Sequence, residues 1–333
     1  MLITPIEQSL IQVLPFGFIL LNFKKEFLFW NKAAEHLLHL TDNENKQKVQ
    51  DYISQLNLGV TEIQAPHNKD VHLSLQMQAY HDNQYFLLVQ DVTHIYRLEK
   101  MRQNFVANVS HELRTPLTVF KGYLDLLLSN PKIDKELTLL PLKQMAEQSQ
   151  RMENLVNDLL LLANLENEEL NITKHKLIHV PELIESICRD VQSLNQEHPH
   201  QFIIELDKTL NIVGSQDELH SAFSNIIVNA VRYTPNQGTI TVRWYQKDGQ
   251  AHFEVKDTGI GIATHHIDRL TQRFYRVDKA RSRDQGGTGL GLAIVKHVLL
   301  RHHAQLTIQS QLKNGSLFRC SFPLKESEIC AAH

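Results

Sequence analysis

Near residue 93 the hydrophobic pattern of this chain changes to a helical period and holds it for roughly seventy residues. Ile95, Leu98, Met101 and Phe105 lead into Val109, Leu113, Leu117, Phe120, Leu124 and Leu127. At about 100° per residue these fall on one apolar stripe. The segment "SNPKID" breaks the run, and Leu142, Met145, Ser149, Met152, Val156, Leu159 and Ala163 then repeat at steps of three and four. Two such helices joined by a short break predict an antiparallel hairpin. Each carries more apolar surface than the other can cover, which predicts a four-helix bundle made by two copies.

His111 lies almost opposite that stripe, on a polar strip with Asn104, Asn108, Thr115, Thr118 and Gly122. Pro116 offers no N–H to the carbonyl of Glu112 and is expected to open and kink the turn beside the histidine. Glu112, next in sequence, is expected to reach the imidazole, fix its tautomer and leave the other nitrogen as a nucleophile. Among 19 histidines, one surface imidazole is ordinary polarity. Chemistry at His111 therefore requires a phosphoryl or acyl donor elsewhere in the chain.

At 333 residues there is material for two or three domains with separate cores. A net charge of −3 gives no electrostatic footprint for nucleic acid, and none is expected as a partner. Cys188, Cys320 and Cys330 lack CxxC spacing, which fits a reducing compartment and excludes a disulfide scaffold or a cysteine zinc site. The longest early apolar run, "VLPFGFILLNF", is well short of the ~20 residues that span a bilayer, and it has no basic flank. As given, the chain reads as soluble and cytoplasmic.

Residues 8 to about 92 read as a small α/β module. "GFILLNF" and "FLFWN" around "KKE" predict a hairpin, "KAAEHLLHL" a helix, and "VHLSLQMQAY" and "QYFLLVQDV" two strands about the turn "HDN", after a polar, helix-like middle. From about 169, "PELIESICRDVQSLN" predicts a helix, "QFIIEL" and "LNIVG" strands, and "SQDELHSAFSNIIVNAVRYT" a helix capped by Ser215. "TITVRWYQ" and "AHFEVKD" predict a hairpin, "GLGLAIVKHVLLRHH" a helix, and "AQLTIQSQ" and "LFRCSFPL" closing strands. That mixture is α+β with an antiparallel-looking sheet.

Three constellations in this last region supply a candidate donor site. Asn225 and Asn229 share a helix face, with Arg232 and Tyr233 one turn on. Carboxamide oxygens suit a hard cation such as Mg²⁺, the arginine suits phosphate and the tyrosine can cover a base; the bland alternative is ordinary helix polarity. In "VKDTGIGIA" a strand ends at Asp257, placed to accept from an adenine amino group, and Gly259 and Gly261 let the backbone turn close to a ligand. In "GGTGLGLAIVKH" glycines precede a helix whose free N–H groups suit an anion. A P-loop is excluded because no GK[ST] occurs, and a Rossmann fingerprint because Leu292 stands at the third glycine position after charged loop. That charged stretch, "YRVDKARSRDQ", reads as a mobile lid, whose Arg276, Lys279, Arg281 and Arg283, with Arg273 just before it, could steer toward a triphosphate.

"FVANVSHELRTPL", the asparagine helix, "DTGIGI", "RFYRVDKARS" and "GGTGLGLAIVKH" resemble, in order and spacing, the H, N, G1, F and G2 boxes of sensor histidine kinases. The resemblance covers roughly residues 95–325, and the wording around the boxes is similar to the phosphate-regulon branch of that family. More weakly, "LPFGFILLNFKKEFLFWNKAAEHLL" is similar to the opening of a PAS domain. The resemblance implies a PAS-like sensor over residues 1–92, a dimerisation and phosphoacceptor hairpin over 93–168, and an α+β sandwich ATP-binding domain of histidine-kinase (Bergerat) type over 169–333. It implies His111 as phosphoacceptor, Glu112 as its base, and Thr115 as the residue that positions a dephosphorylating water. Asn229 would hold Mg²⁺, with Asn225 near the γ-phosphate. Tyr233 would pack by the adenine that Asp257 reads. Arg232, Arg273, Arg276, Gly259, Gly261, Gly287, Thr288, Gly289, Leu290 and Gly291 would complete the ATP site. The implied partners are a second copy and a response regulator with a receiver domain. Such sensors normally carry membrane spans before the PAS domain, so membrane-associated signalling partners are implied too, although this sequence shows no span. The rival readings are another ATPase or serine kinase on the same nucleotide fold, and a non-enzymatic PAS ligand sensor.

Overall fold

The computed structural model describes residues 5–80, 84–129, 135–167, 176–194, 200–277 and 287–324. The chain divides into two compact units, residues 1–107 and 108–333.

The first unit contains α1 (Pro5–Gln12), β1 (Gly17–Leu21), β2 (Phe27–Trp30), α2 (Lys32–Leu38), α3 (Asn43–Gln55), β3 (Gly59–Ala65), β4 (Asn68–Tyr80) and β5 (Gln84–Asp91). Its strands form one sheet in the order β2-β1-β5-β4-β3, and every neighbouring pair is antiparallel. Inward residues of alternating strands, Ile19, Leu21, Leu73, Leu75, Met77, Leu87 and Val89, meet Ala34, Leu38, Val49 and Ile53 from α2 and α3. Gly17 is needed there, because a Cβ would stand 2.9 Å from both the Ala34 Cα and the Val89 Cβ. Asn31 fixes the junction of strand and helix. Its side-chain oxygen accepts from the N–H groups of Ala34 and Phe18, and its amide donates to the carbonyls of Ile11 and Phe16. The polar middle of this region holds a strand as well as a helix: β3 alternates exposed Val60, Glu62 and Gln64 with inward Thr61, Ile63 and Ala65, a pattern masked by its polar outer positions. The "HDN" turn at 81–83 lies outside the described residues.

A long helix, α4 (Thr93–Ser129), runs unbroken through Pro116, which is buried rather than a break beside His111. α5 (Lys135–Asn167) forms the second arm; residues 130–134 of the intervening break lie outside the described residues. The buried edge of α5 differs from the expected stripe. Leu155, Leu162 and Leu165 are buried, whereas Val156 is 43% exposed and Ser149 and Ala163 face solvent. The stretch "LVNDLLLLANL" is apolar on more than one side, so periodicity could not choose which side packs on the rest of the chain.

The remainder comprises β6 (Lys176–Ile178), α6 (Val180–Leu194), β7 (Gln201–Leu206), β8 (Ile212–Gly214), α7 (Gln216–Tyr233), β9 (Thr239–Lys247), β10 (Gln250–Asp257) and the short α8 (Thr264–Ile267). The described residues end with α9 (Gly291–Arg301), β11 (Gln305–Ser310) and β12 (Ser316–Pro323). The main sheet has the order β11-β12-β10-β9-β7. It is mixed rather than wholly antiparallel, because β7 joins β9 in parallel after the α7 crossover. The strand expected at "LNIVG" is β8, whereas β6 and α8 were not expected as separate elements; both are too short to show a period. Phe223 of α7 stacks on Phe253 of β10 at 4.1 Å, and Trp244 and Phe322 close the core around them. Ser215 stands at the start of α7 but makes no side-chain cap. Its backbone N–H instead donates to Nε2 of buried His302 at 3.1 Å.

Candidate active site

Three segments of the second unit converge, and the close approaches at glycine show how tightly. The apolar face of α7 (Leu219, Ala222, Phe223, Ile226, Ile227, Ala230) is buried in the core, which turns Asn225, Asn229 and Arg232 to its half-buried polar edge. The Asn225 amide donates to the Ser221 carbonyl at 2.9 Å, so its oxygen points away from the helix backbone. That oxygen meets Gly291, where a Cβ would lie 2.2 Å from it. About two turns on, a Cβ at Gly287 would lie 2.8 Å from an Arg232 guanidinium nitrogen. The glycine loop is therefore laid along the polar edge of α7, with the N-terminus of α9 beside Asn225. Gly289, at φ +72°, makes the turn that lets its carbonyl accept from the Phe274 N–H.

The loop after β10 forms the opposite wall. Asp257 is 4% exposed, and its Oδ1 accepts from the N–H groups of Gly259 at 2.8 Å and Ser316 at 3.2 Å. Burial pushes its carboxyl above the usual range, opposed by those two hydrogen bonds. Gly259 packs under the Tyr233 carbonyl, which also accepts from the Ile260 N–H. Tyr233 itself is 37% exposed at the end of α7. Gly261, at φ +68°, rests on the backbone of Gln311 in the β11–β12 connection. This arrangement suits a nucleotide: a buried acceptor for a base amino group, an aromatic ring beside it, and amides at a helix N-terminus for phosphate. Asn225 and Asn229 fit a hard cation that keeps its waters. Among the described residues there is no group of three His, Cys, Asp or Glu side chains that could hold one.

Leu290 departs from its expected place. It is wholly buried in the core at the start of α9, and only its backbone N–H, donating to the Thr288 hydroxyl, faces the loop. Thr288 in turn donates to Asp158 of α5 at 3.0 Å. Arg273 pairs with Glu166 of α5, away from its expected place, and Arg276 pairs with Glu112 of α4 at 3.4 Å while its side chain runs beside Gly289 of the glycine loop. Lys279, Arg281 and Arg283 lie outside the described residues.

His111 is exposed on α4, and its carbonyl accepts from the Thr115 hydroxyl at 3.2 Å. Glu112 does not turn to the imidazole. One carboxylate oxygen meets Arg276 and the other meets Arg151 of α5, each at 3.4 Å. Consecutive helical residues diverge by about 100°, so an i,i+1 pair does not face itself. Arg151, Asp158 and Glu166 were missed in the sequence because their partners stand far along the chain. Gly315 and Ser316 were missed too, although "NGS" is a turn signal; at φ +80° Gly315 lies against the Asp257 carbonyl.

Two family patterns match the chain: the His Kinase A (phospho-acceptor) domain over residues 101–168, and the histidine kinase-, DNA gyrase B- and HSP90-like ATPase over 214–326. The phosphate regulon sensor protein PhoR of Pseudomonas aeruginosa is 45% identical over 315 residues, covering 91% of this chain and 71% of the relative. PhoR of Haemophilus influenzae is 39% identical over 253 residues, covering 76% and 58%. The sensor histidine kinase WalK of Bacillus subtilis is 34% identical over 244 residues, covering 72% and 40%. Among solved structures, the Acinetobacter baumannii histidine kinase AdeS matches with a TM-score of 0.53 at 23% identity, over 65% of this chain and 98% of that one. The histidine kinase ThkA, solved in complex with the response regulator protein TrrA, matches at 0.54 and 17% identity, over 95% and 98%. At these identities the two structures speak to fold alone.

Proposed function

The chain belongs to the PhoR-like sensor histidine kinases, and we propose that it phosphorylates His111 from ATP and passes the phosphoryl group to an aspartate of the phosphate-regulon response regulator. Histidine-kinase activity follows from the family. The residue roles are our reading, and the observation that carries them is the convergence of Asp257, Asn225 and the Gly287–Gly291 loop in the unit that also holds His111.

In this reading Asp257 accepts from the adenine amino group and Tyr233 covers the ring. Arg232 and the amides of the glycine loop, at the N-terminus of α9, receive the phosphates. Asn229, with Asn225 beside it, would hold Mg²⁺, which when bound supplies neutralisation of charge on the transferring phosphates. One imidazole nitrogen of His111 attacks the γ-phosphorus. The N–P bond forms as the bond to the β–γ bridging oxygen breaks, and ADP leaves with that electron pair. Glu112, once released from Arg276, takes the imidazole proton. Thr115 orients a water for the reverse task, hydrolysis of the regulator's phosphoaspartate. A second copy is expected to cover Leu117, Leu124, Leu128, Val156 and Leu160, which are 40–71% exposed in one chain. The first unit serves as a PAS-like sensor, a reading supported by its antiparallel five-stranded sheet with helices packed on it. No helix among the described residues is long and apolar enough to cross a membrane, and membrane-associated signalling partners belong to the proposal only through the family.

His111→Ala tests the reading. Labelling from γ-³²P-ATP should vanish while ATP affinity stays within about twofold, since His111 stands outside the nucleotide cleft. An acid-stable, base-labile label that survives the substitution would point instead to serine phosphorylation.

A further inference from the structure

The groups of the nucleotide domain best suited to phosphate are occupied here by carboxylates of the helical hairpin. The Thr288 hydroxyl, inside the glycine loop, donates to Asp158 at 3.0 Å. Arg273 is paired with Glu166, whose same carboxylate oxygen lies 3.3 Å from His297 of α9. Arg276 is paired with Glu112. Behind these contacts Leu155, Leu162 and Leu165 of α5 share one apolar core with α9, so the docking has a water-excluding base. Asp158 and Glu166 are eight positions apart, about 12 Å along α5 at 1.5 Å per residue, and both face the nucleotide domain. A carboxylate against a guanidinium, or against a hydroxyl at a helix N-terminus, uses the same donors that a phosphate uses.

We propose that Asp158 and Glu166 act as phosphate surrogates: they hold Thr288 and Arg273 in a docked state that competes with the phosphates of ATP. The proposal rests on the ATP site described above and adds its regulation. Any input that loosens α5 from α9 then raises ATP affinity, and ATP in turn favours undocking, because the two ligands of one donor set exclude each other. Apparent affinity falls by the fraction of molecules in which the donors are free.

The test uses the full chain with Asp158→Ala and Glu166→Ala, singly and together, titrated with ATP and, separately, with adenosine. Removing two partly exposed polar contacts should tighten ATP roughly three- to tenfold, by freeing the competent fraction. Adenosine has no phosphates and should bind as it does to the parent. Glu166→Ala alone, near the end of α5, guards against misfolding and should show part of the gain. Unchanged or weaker ATP binding in these variants overturns the proposal, as does an equal gain for adenosine. Asp257→Asn in the same titration separates the two readings. If it weakens ATP while the α5 variants change nothing, the surrogate proposal fails and the ATP site stands; if it leaves ATP unchanged, the site itself is misassigned.

Discussion

The two five-stranded sheets of this chain spend their buried polar groups differently. Among the described residues of the first unit, Asn31 and Asn45 are the buried polar side chains, and both direct their hydrogen bonds to backbone: Asn31 to four groups around the start of α2, Asn45 to the carbonyls at its end. In the second unit Glu218, Glu254, Asp257, Arg301 and His302 are buried. Glu218 answers Arg301 at 3.2 Å and Glu254 answers Arg319 at 2.6 Å, so those charges are paired. Among the described residues Asp257 instead accepts from the backbone N–H groups of Gly259 and Ser316, without a cationic side chain. A buried carboxylate supported this way is costly for folding alone, which is the mark of a group kept for a ligand. Burial of polar atoms is thus structural in the first sheet, and in the second it includes Asp257, for which a ligand role is proposed.

The largest expected effect comes from Gly261→Ala. A Cβ would lie 1.9 Å from the Gln311 carbonyl oxygen at a backbone φ of +68°, so the variant should lose more than about 3 kcal/mol in denaturant unfolding of the second unit. Parent-like stability would break the claim that this wall is rigid. Asn31→Ala removes a helix cap, taking the side-chain partner from the Ala34 and Phe18 N–H groups and from the Phe16 carbonyl, which should cost the first unit about 2 kcal/mol or more by hydrogen exchange. ATP affinity should not change, and a parallel loss would erase the contrast between the units. Asp257→Asn offers the adenine amino group a donor where it needs an acceptor, a mismatch of roughly 1–3 kcal/mol, or about 5- to 150-fold in ATP affinity. Calorimetric titration measures it.

The smallest effect sharpens the contrast on the first unit. His67 stacks on His39 at 3.9 Å, and its pKa is lowered by burial first, then by His39 and His36. The unfolded chain therefore takes the proton before the folded one as pH drops through about 6.5. The first unit should lose a little stability below that pH and none above it, and His67→Gln should flatten the dependence. A first unit that becomes more stable in acid would reverse the sign.

Much of the fold was legible because its signals are local. Alternating apolar residues mark β10, helical period marks α4 and α7, and the paired asparagines of α7 stand on the edge that period predicts. The parallel β7–β9 pairing was hidden, since "QFIIEL" looks alike in either direction and only the crossover through α7 decides. The side of α5 that packs on α9 was not legible, because α5 is apolar on more than one side. Ser215 was a sound cap by sequence, but His302, brought in from 87 residues away, takes its N–H.

The sequence alone determined the family, the phosphoacceptor candidate and the glycine-rich nucleotide walls, because those depend on residue type at short, fixed spacing and on the φ that only glycine adopts cheaply. Tertiary structure decided which carboxylate meets which cation. Glu112 follows His111 in the chain but faces Arg151 and Arg276, and Thr288 and Arg273 are claimed by Asp158 and Glu166, 130 and 107 residues away. Ion pairs and hydrogen bonds act over a few ångströms of space, and no local pattern in a chain records which distant side chains will share that space.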